Sequence, residues 1–210
     1  LYLASTGFDS ILAFDLAAQA FSWGLHAAKV DGTWQAHRFD PKTDAGPPPK
    51  NQLHINFVDC SAAGLSFAGL RTRGIISLAP GASLQPQVEL PEGVHNACLT
   101  DDGVIFNDTA ANFLRYVRRD GEERRFPFPV YARDELEFAG IDDSKVARQG
   151  FGRGLCLIND RLVAAGSSPS TVSVFDLASG QSVMSVNFSK DIRNAIHGLE
   201  VWPYPVPSIS

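Results

Sequence analysis

No stretch of this chain approaches the ~18 uninterrupted apolar residues of a membrane-spanning helix, and no basic, apolar and small-residue leader opens it. Residue 1 is Leu rather than Met, so a leader on a longer chain stays open. Positive charge is also scarce. Eighteen Lys and Arg stand against 23 Asp and Glu, a net charge of −5, and the one basic cluster, "RYVRRDGEERRF", alternates in sign. A nucleic-acid partner, which asks for a basic stripe, is therefore not expected, nor is a membrane surface. Cysteine is limited to Cys60, Cys98 and Cys156, without CxxC spacing, which excludes a disulfide framework and a thiolate zinc site and points to the cytoplasm. GxSxG and P-loop patterns are missing, and "GFGRG" leads into a strand pattern, so it offers no helix N-terminus to a phosphate. Helical periodicity is missing as well, apart from a possible short turn within 134–149.

What the chain does have is a repeat. "LYLASTGFDSILAFDL" (1–16) and "LVAAGSSPSTVSVFDL" (162–177) match over sixteen positions and end alike in Phe-Asp-Leu. Around the second copy a larger unit is visible. "HINFVDCSAAGLSFAGLRTRGIISL" (54–78), "HNACLTDDGVIFNDTAANFLRYV" (95–117) and "RGLCLINDRLVAAGSSPSTVSVFDL" (153–177) each begin with His or Arg, run apolar, turn at a small polar group and continue into two further strands. The turns fall at 61–64, 101–103 and 159–160, and fourth strands follow at 85–90, 123–128 and 182–188. Unit starts lie 41 residues apart (54 to 95), 58 (95 to 153) and 44 (153 to "HGLEVWP" at 197–203); apart from the middle interval, which holds an insertion, this is the ~40–50 residue spacing of four-stranded propeller blades.

The expected fold is thus all-β: a β-propeller of four-stranded antiparallel blades over 1–210, with a part-blade at 1–28, blades at 54–90, 95–128 and 153–188, and the start of another at 197–203. The part-blade reads as the second and third strands of a unit whose innermost strand is missing. The chain therefore reads as an N-terminally truncated piece of a six- or seven-bladed ring. Two long loops, 29–53 and 129–150, lead into innermost strands and share a rim with the loops between second and third strands.

That rim gathers the candidate site. His54, His95, Arg153 and His197 start innermost strands. Ser5, Thr6, Asp9, Arg71, Arg73, Asn107, Asp108, Asn112, Ser167 and Ser168 lie in the neighbouring loops. Convergent polar groups at a concave mouth suggest a small polar ligand, anionic or sugar-like. His54, His95 and His197 can alternatively hold a divalent metal with an open position for hydrolysis or elimination, or tie inner strands together by hydrogen bonds. Arg153 can clamp a carboxylate or phosphate with its planar fork, or pair with Asp108 or another acid. His37 reads as a loop residue and His26 as part of an outer strand. Cys98 and Cys156 recur three residues after their unit starts, which marks them as packing residues. An interaction scaffold is the third class, with Trp34 and Tyr131 as the aromatics of the long loops.

The segments "LYLASTGFDSILAFDL", "NQLHINFVD", "VHNACLTDDGVIFND", "FGRGLCLINDRLVAAGSS" and "IHGLEVWP", in that order, resemble a bacterial family of conserved hypothetical β-propeller proteins of unknown function. The resemblance implies a fold and no activity. Members tend to carry Arg and an aromatic after the second histidine, where this chain has Ala97, Cys98 and Leu99. A more distant resemblance is to gluconolactonase-type propellers with an axial metal, whose ligands would correspond to Asn107, Asp108 and Glu200.

Overall fold

The computed structural model describes residues 1–61, 64–140 and 148–202. Sixteen strands form four antiparallel sheets of four, each a simple meander. The first holds β1 (Tyr2–Ser5), β2 (Ser10–Asp15), β3 (Ala20–Val30) and β4 (Thr33–Phe39). The second holds β5 (Ile55–Ser61), β6 (Gly64–Gly69), β7 (Gly74–Ala79) and β8 (Ser83–Glu89). In the third are β9 (Val94–Leu99), β10 (Gly103–Asp108), β11 (Phe113–Arg118) and β12 (Glu123–Pro127). The fourth consists of β13 (Arg153–Leu157), β14 (Leu162–Ser167), β15 (Thr171–Asp176) and β16 (Gln181–Asn187). These are propeller blades, and the all-β expectation holds. Among the described residues no helix is long and apolar enough to cross a membrane.

The matched segments behave alike for a local reason. After β2, Asp15 Oδ1 accepts the backbone N–H groups of Ala17 and Ala18 at 2.9 and 3.0 Å. After β15, Asp176 Oδ1 accepts those of Ala178 and Ser179 at 2.9 and 3.3 Å. Each Phe-Asp-Leu thus ends a strand in an aspartate-capped turn. These N–H donors hold the Asp15 carboxyl below its ordinary range, while for Asp176 the paired Arg161 guanidinium does so first, with the turn donors adding to it.

Two expectations change at the first sheet. β1 and β2 are the counterparts of β14 and β15, so nothing in this sheet corresponds to β13, yet four strands are present because β4 is added at the opposite edge. The part-blade expected to stop at residue 28 therefore runs to Phe39. For the same reason 29–53 is not one long loop. Asp31 and Gly32, with φ of 48° and 80°, form a two-residue turn that pairs Val30 with Thr33, as an Asp-Gly hairpin does. Trp34 and His37 consequently sit on a strand, Trp34 packing edge-on against Phe67 at 6.2 Å. At the other end, His197–Trp202 forms no strand, since none of the described residues offers it a ladder. The turn expected at 61–64 includes 62 and 63, which lie outside the described residues, as do 141–147 of the second long loop and 203. Of the helical turn expected within 134–149, the described residues show a 3-10 turn at Arg133–Glu135, and 141–147 lie outside them.

The chain divides into two compact units, Leu1–Ala111 with Arg115–Glu123, and Asn112–Leu114 with Arg124–Ser210. In the first unit, Ile11, Leu25, Ile55, Phe67 and Ile76 close one apolar layer, and Ala68, Ile75, Val94, Val104 and Phe106 close another. In the second, Phe175 meets Phe126 and Phe128 at ring-centroid distances of 5.2 and 6.4 Å. Cys98 and Cys156 are buried on β9 and β13, which fits packing residues, and burial pushes the Cys156 thiol up. The outer strand β16 instead exposes Val183, Met184 and Val186.

Candidate functional site

Innermost strands β5, β9 and β13 share a feature not read from the sequence. Each carries an extra residue in its first ladder steps. Asn56 is extra between the Ile55 and Phe57 pairings, Gly154 is extra between Arg153 and Leu155, and His95 and Asn96 together face Asn107. A bulge of this kind re-aims the flanking side chains and ends regular pairing. The residues it re-aims are those singled out above: His54, His95 and Arg153.

In the first unit the lead-in to β5 is tied to the turn after β1. Asp9, 1% exposed, accepts the backbone N–H of Gln52, Leu53 and His54 at 2.5, 3.1 and 2.9 Å. Lys50 and Asn51 donate to the Gly7 carbonyl from the same segment, and Thr6 donates to the Ile55 carbonyl. The shared rim expected of these loops is therefore present within this unit. His54 Nδ1 meets Asn51 Oδ1 at 2.9 Å, and its ring lies edge-on to His95 at 6.2 Å.

The remaining polar candidates of this unit are engaged in holding the loops. Arg71 donates through Nε to the Gln52 carbonyl at 2.8 Å and through Nη2 to the Asn51 carbonyl. Arg73 pairs with Glu92 at 2.7 Å on the exposed surface. Asp108 accepts from Arg115 at 2.9 Å and from the Ala111 N–H at 3.1 Å. Asn107 is fully buried. His26 bonds the Phe8 carbonyl at 3.0 Å. Among the described residues no group of three His, Cys, Asp or Glu side chains is placed to hold a metal ion.

The second unit holds a different arrangement. Arg153, at the head of β13, lies over the Phe151 ring with its guanidinium carbon 4.2 Å from the centroid. Arg148 lies over the same ring at 5.0 Å, its Nη1 donating to Asn112 Oδ1 at 2.5 Å. Arg153 Nη1 meets His197 Nε2 at 2.7 Å. Its Nε is sealed from solvent with no acceptor, and among the described residues no carboxylate pairs with the group. Burial pulls the Arg153 pKa down, and burial followed by the Arg153 charge pulls down that of His197, leaving the imidazole neutral with a lone pair for Nη1.

Two glycines seat this contact. A Cβ on Gly166 would stand 2.6 Å from the Ile196 side chain and 2.7 Å from the Arg153 carbonyl. At Gly154, with φ of +72°, a Cβ would stand 3.0 Å from the Ile196 carbonyl. The segment bearing His197 therefore docks on a floor without side chains. Gly166→Ala is expected to cost about 1–3 kcal/mol by overpacking and to free the imidazole. Urea unfolding and an NMR titration of His197 read both effects, and an unchanged His197 titration would contradict the docking. Sequence reasoning named Arg153, His197, Asn112, Ser167 and Ser168 but missed Phe151, Arg148 and the glycine floor. The available signal was Gly154 itself, standing where the other units have Ile55 and Asn96. Ser168 accepts the Gly150 N–H at 3.0 Å through its carbonyl, while Ser167 is fully buried with an unpartnered Oγ.

No family model matches the chain, and no curated protein matches it. Among solved structures, selenomethionine-substituted virginiamycin B lyase from Staphylococcus aureus is 12% identical with a TM-score of 0.39, covering 84% of this chain and 51% of that one. A catalytically inactive form of the Staphylococcus aureus lyase with quinupristin is 11% identical with a TM-score of 0.39, covering 84% and 59%. A streptogramin B lyase is 13% identical with a TM-score of 0.40, covering 83% and 64%. The chain thus spans between half and two thirds of those proteins, and at such identities their chemistry says nothing about this one.

Proposed function

We propose that the second unit binds a small anionic ligand at the start of β13, with Arg153 as the principal donor. One observation carries this reading: Arg153 is a partly buried cation without a counter-charge among the described residues, whereas Arg161 and Arg193 nearby in the chain are matched to Asp176 and Asp191 at 2.5 and 2.7 Å. Withdrawing a cation from water is unfavourable unless an anion answers it, and a neutral imidazole answers it only in part. The guanidinium plane is fixed by Phe151 on its face and His197 at Nη1, and a fork held in this way can meet a carboxylate or phosphate oxygen with its remaining N–H donors. The metal-dependent alternative has no comparable observation behind it.

Calorimetric titration with acetate, succinate and inorganic phosphate tests the reading. Arg153→Gln is expected to weaken binding about 10- to 100-fold, the ~1.5–3 kcal/mol of a charge-assisted hydrogen bond. Failure of the wild-type protein to bind any of the three would overturn it. The pH profile adds a second check. A bound anion opposes the depression of the His197 pKa, so binding takes up a proton and tightens as pH falls below the ordinary value of 6.5. Without ligand the sign is reversed for stability. The unfolded chain protonates this histidine first, so its contribution to the fold is lost as pH falls through the same range.

A further inference from the structure

We infer that the outer strand β16 is an interaction surface whose occupant is β16 of a second copy of this chain, added antiparallel across a two-fold axis at Ser185. An edge strand offers unpaired backbone N–H and C=O groups to any extended chain, and proteins blunt such edges with charge or proline. Three of the four outer strands carry these devices. β4 holds His37 and Arg38, β8 holds Pro86 and Glu89, and β12 holds Glu123, Arg124, Arg125 and Pro127. β16, "QSVMSVN", holds neither a charge nor a proline, and none of the described residues pairs with its outer edge. Val183, Met184 and Val186 are exposed on it, and Phe188, just beyond its end, is 69% exposed. All of these β16 residues belong to the second unit.

A second copy fits this edge because the strand is neutral and complementary to itself. Met184 pairs with Val174 and Val186 with Val172, so both project from one face of the sheet, while Ser185, paired with Ser173, projects from the other. A two-fold axis normal to the sheet keeps each face continuous, so residues that meet across it share a face. With Ser185 on the axis, Met184 of each copy meets Val186 of the other, which makes two apolar pairs on one face. Further out, Val183 is the extra residue of a bulge between the Val174 and Phe175 pairings, and it shifts the alternation by one. Ser182 then meets the partner's Asn187, and Gln181 meets the partner's Phe188. No charge faces a like charge in this register.

The same register gives Phe188 a seat. Gln181 pairs with Asp176 and Asp176 with Leu162, so the three share a face. Leu162 and Asp176 line a groove of about 410 Å³ together with Asn159, Arg161 and Val183. The partner's Phe188 arrives opposite Gln181 at the mouth of this groove. There it covers apolar surface of Leu162 and Val183 and lies near the Arg161 guanidinium, which Asp176 holds at 2.5 Å.

Sedimentation velocity of the full chain tests the proposal. One strand pair is a small interface, so the expected dissociation constant is on the order of 10–100 μM. Met184→Lys, at a half-exposed position that accepts lysine in the single chain, places a charge inside the pair. It is expected to weaken dimerisation at least about tenfold, with the thermal melt of the dilute protein unchanged. Cross-linking reads the register in a Cys60→Ser background, which removes the exposed native thiol. With an added oxidant, Ser185→Cys is expected to give a covalent dimer, because its Cβ faces its own counterpart at about 4.5–5.5 Å, and Ser182→Cys is not. A wild-type chain that stays monomeric up to about 500 μM overturns the proposal, whether the edge is bare or taken by a foreign strand. A dimer that Met184→Lys leaves intact overturns it as well, since the contact then lies elsewhere. Cross-linking through Ser182→Cys and not through Ser185→Cys overturns the two-fold pairing.

Discussion

Asp9→Ala is expected to remove about 3–5 kcal/mol of stability, because three backbone N–H groups lose their acceptor at roughly 1–3 kcal/mol for each one left buried and unsatisfied. The carboxylate is 1% exposed and accepts three consecutive backbone N–H groups, those of Gln52, Leu53 and His54. Truncation leaves all three donors facing a pocket that lacks the acceptor, and buried donors left unmade cost more than the bonds contribute on balance. Against a total of roughly 5–15 kcal/mol for a domain, this is a large share. Asp9 also sits at φ 48°, a conformation that Asn tolerates, so Asp9→Asn should keep one oxygen acceptor at unchanged backbone cost and lose substantially less. Urea unfolding with an unchanged slope and a lowered midpoint is the readout. A loss below about 1 kcal/mol for Asp9→Ala would mean that water replaces the carboxylate and that the lead-in to β5 is held by other contacts.

How much of this was legible in the sequence depends on range. The repeat was legible because its key device is local: an aspartate at a strand end caps its own turn, and the Phe-Asp-Leu signature records that wherever it occurs. The β3–β4 hairpin carried an equally local signal in Asp31-Gly32, but "TWQAHRF" alternates between half-buried and exposed positions and holds His37 and Arg38, which makes it resemble a loop in composition. An added edge strand needs only one apolar stripe, so composition understates it. The neighbourhood of the loops was legible, and the pairing of their side chains was not. The rim loops do meet within each unit, but which acid reaches which base depends on contacts between separate strands and loops. Asp108 goes to Arg115, Arg71 to two carbonyls, and Arg153 to a histidine 44 residues away. The bulges on β5, β9 and β13 were equally hidden, because an extra residue in one strand is defined only against its partner.

Phe175→Ala is expected to cost about 3–5 kcal/mol, the usual range for emptying a phenyl site in a packed core. Its ring is 1% exposed and meets Phe126, equally buried, at 5.2 Å and Phe128 at 6.4 Å, the second in an edge-on arrangement. Aromatic pairs of this kind add ~0.5–1.5 kcal/mol beyond burial, so Phe175→Leu, which refills much of the volume, should still lose about 1 kcal/mol or more. The consequence for the site is asymmetric. Phe128 presses on Gly152, between Phe151 and Arg153, so the aromatic cluster braces the backbone that carries the guanidinium without touching the guanidinium itself. Phe175→Ala should therefore lower the melting temperature while the protein that remains folded still binds anions, and Arg153→Gln should do the opposite. Equal loss of binding in both variants would show that the guanidinium is held by the core rather than by Phe151 and His197. A stability change below about 1 kcal/mol for Phe175→Ala would instead place the core of this unit elsewhere.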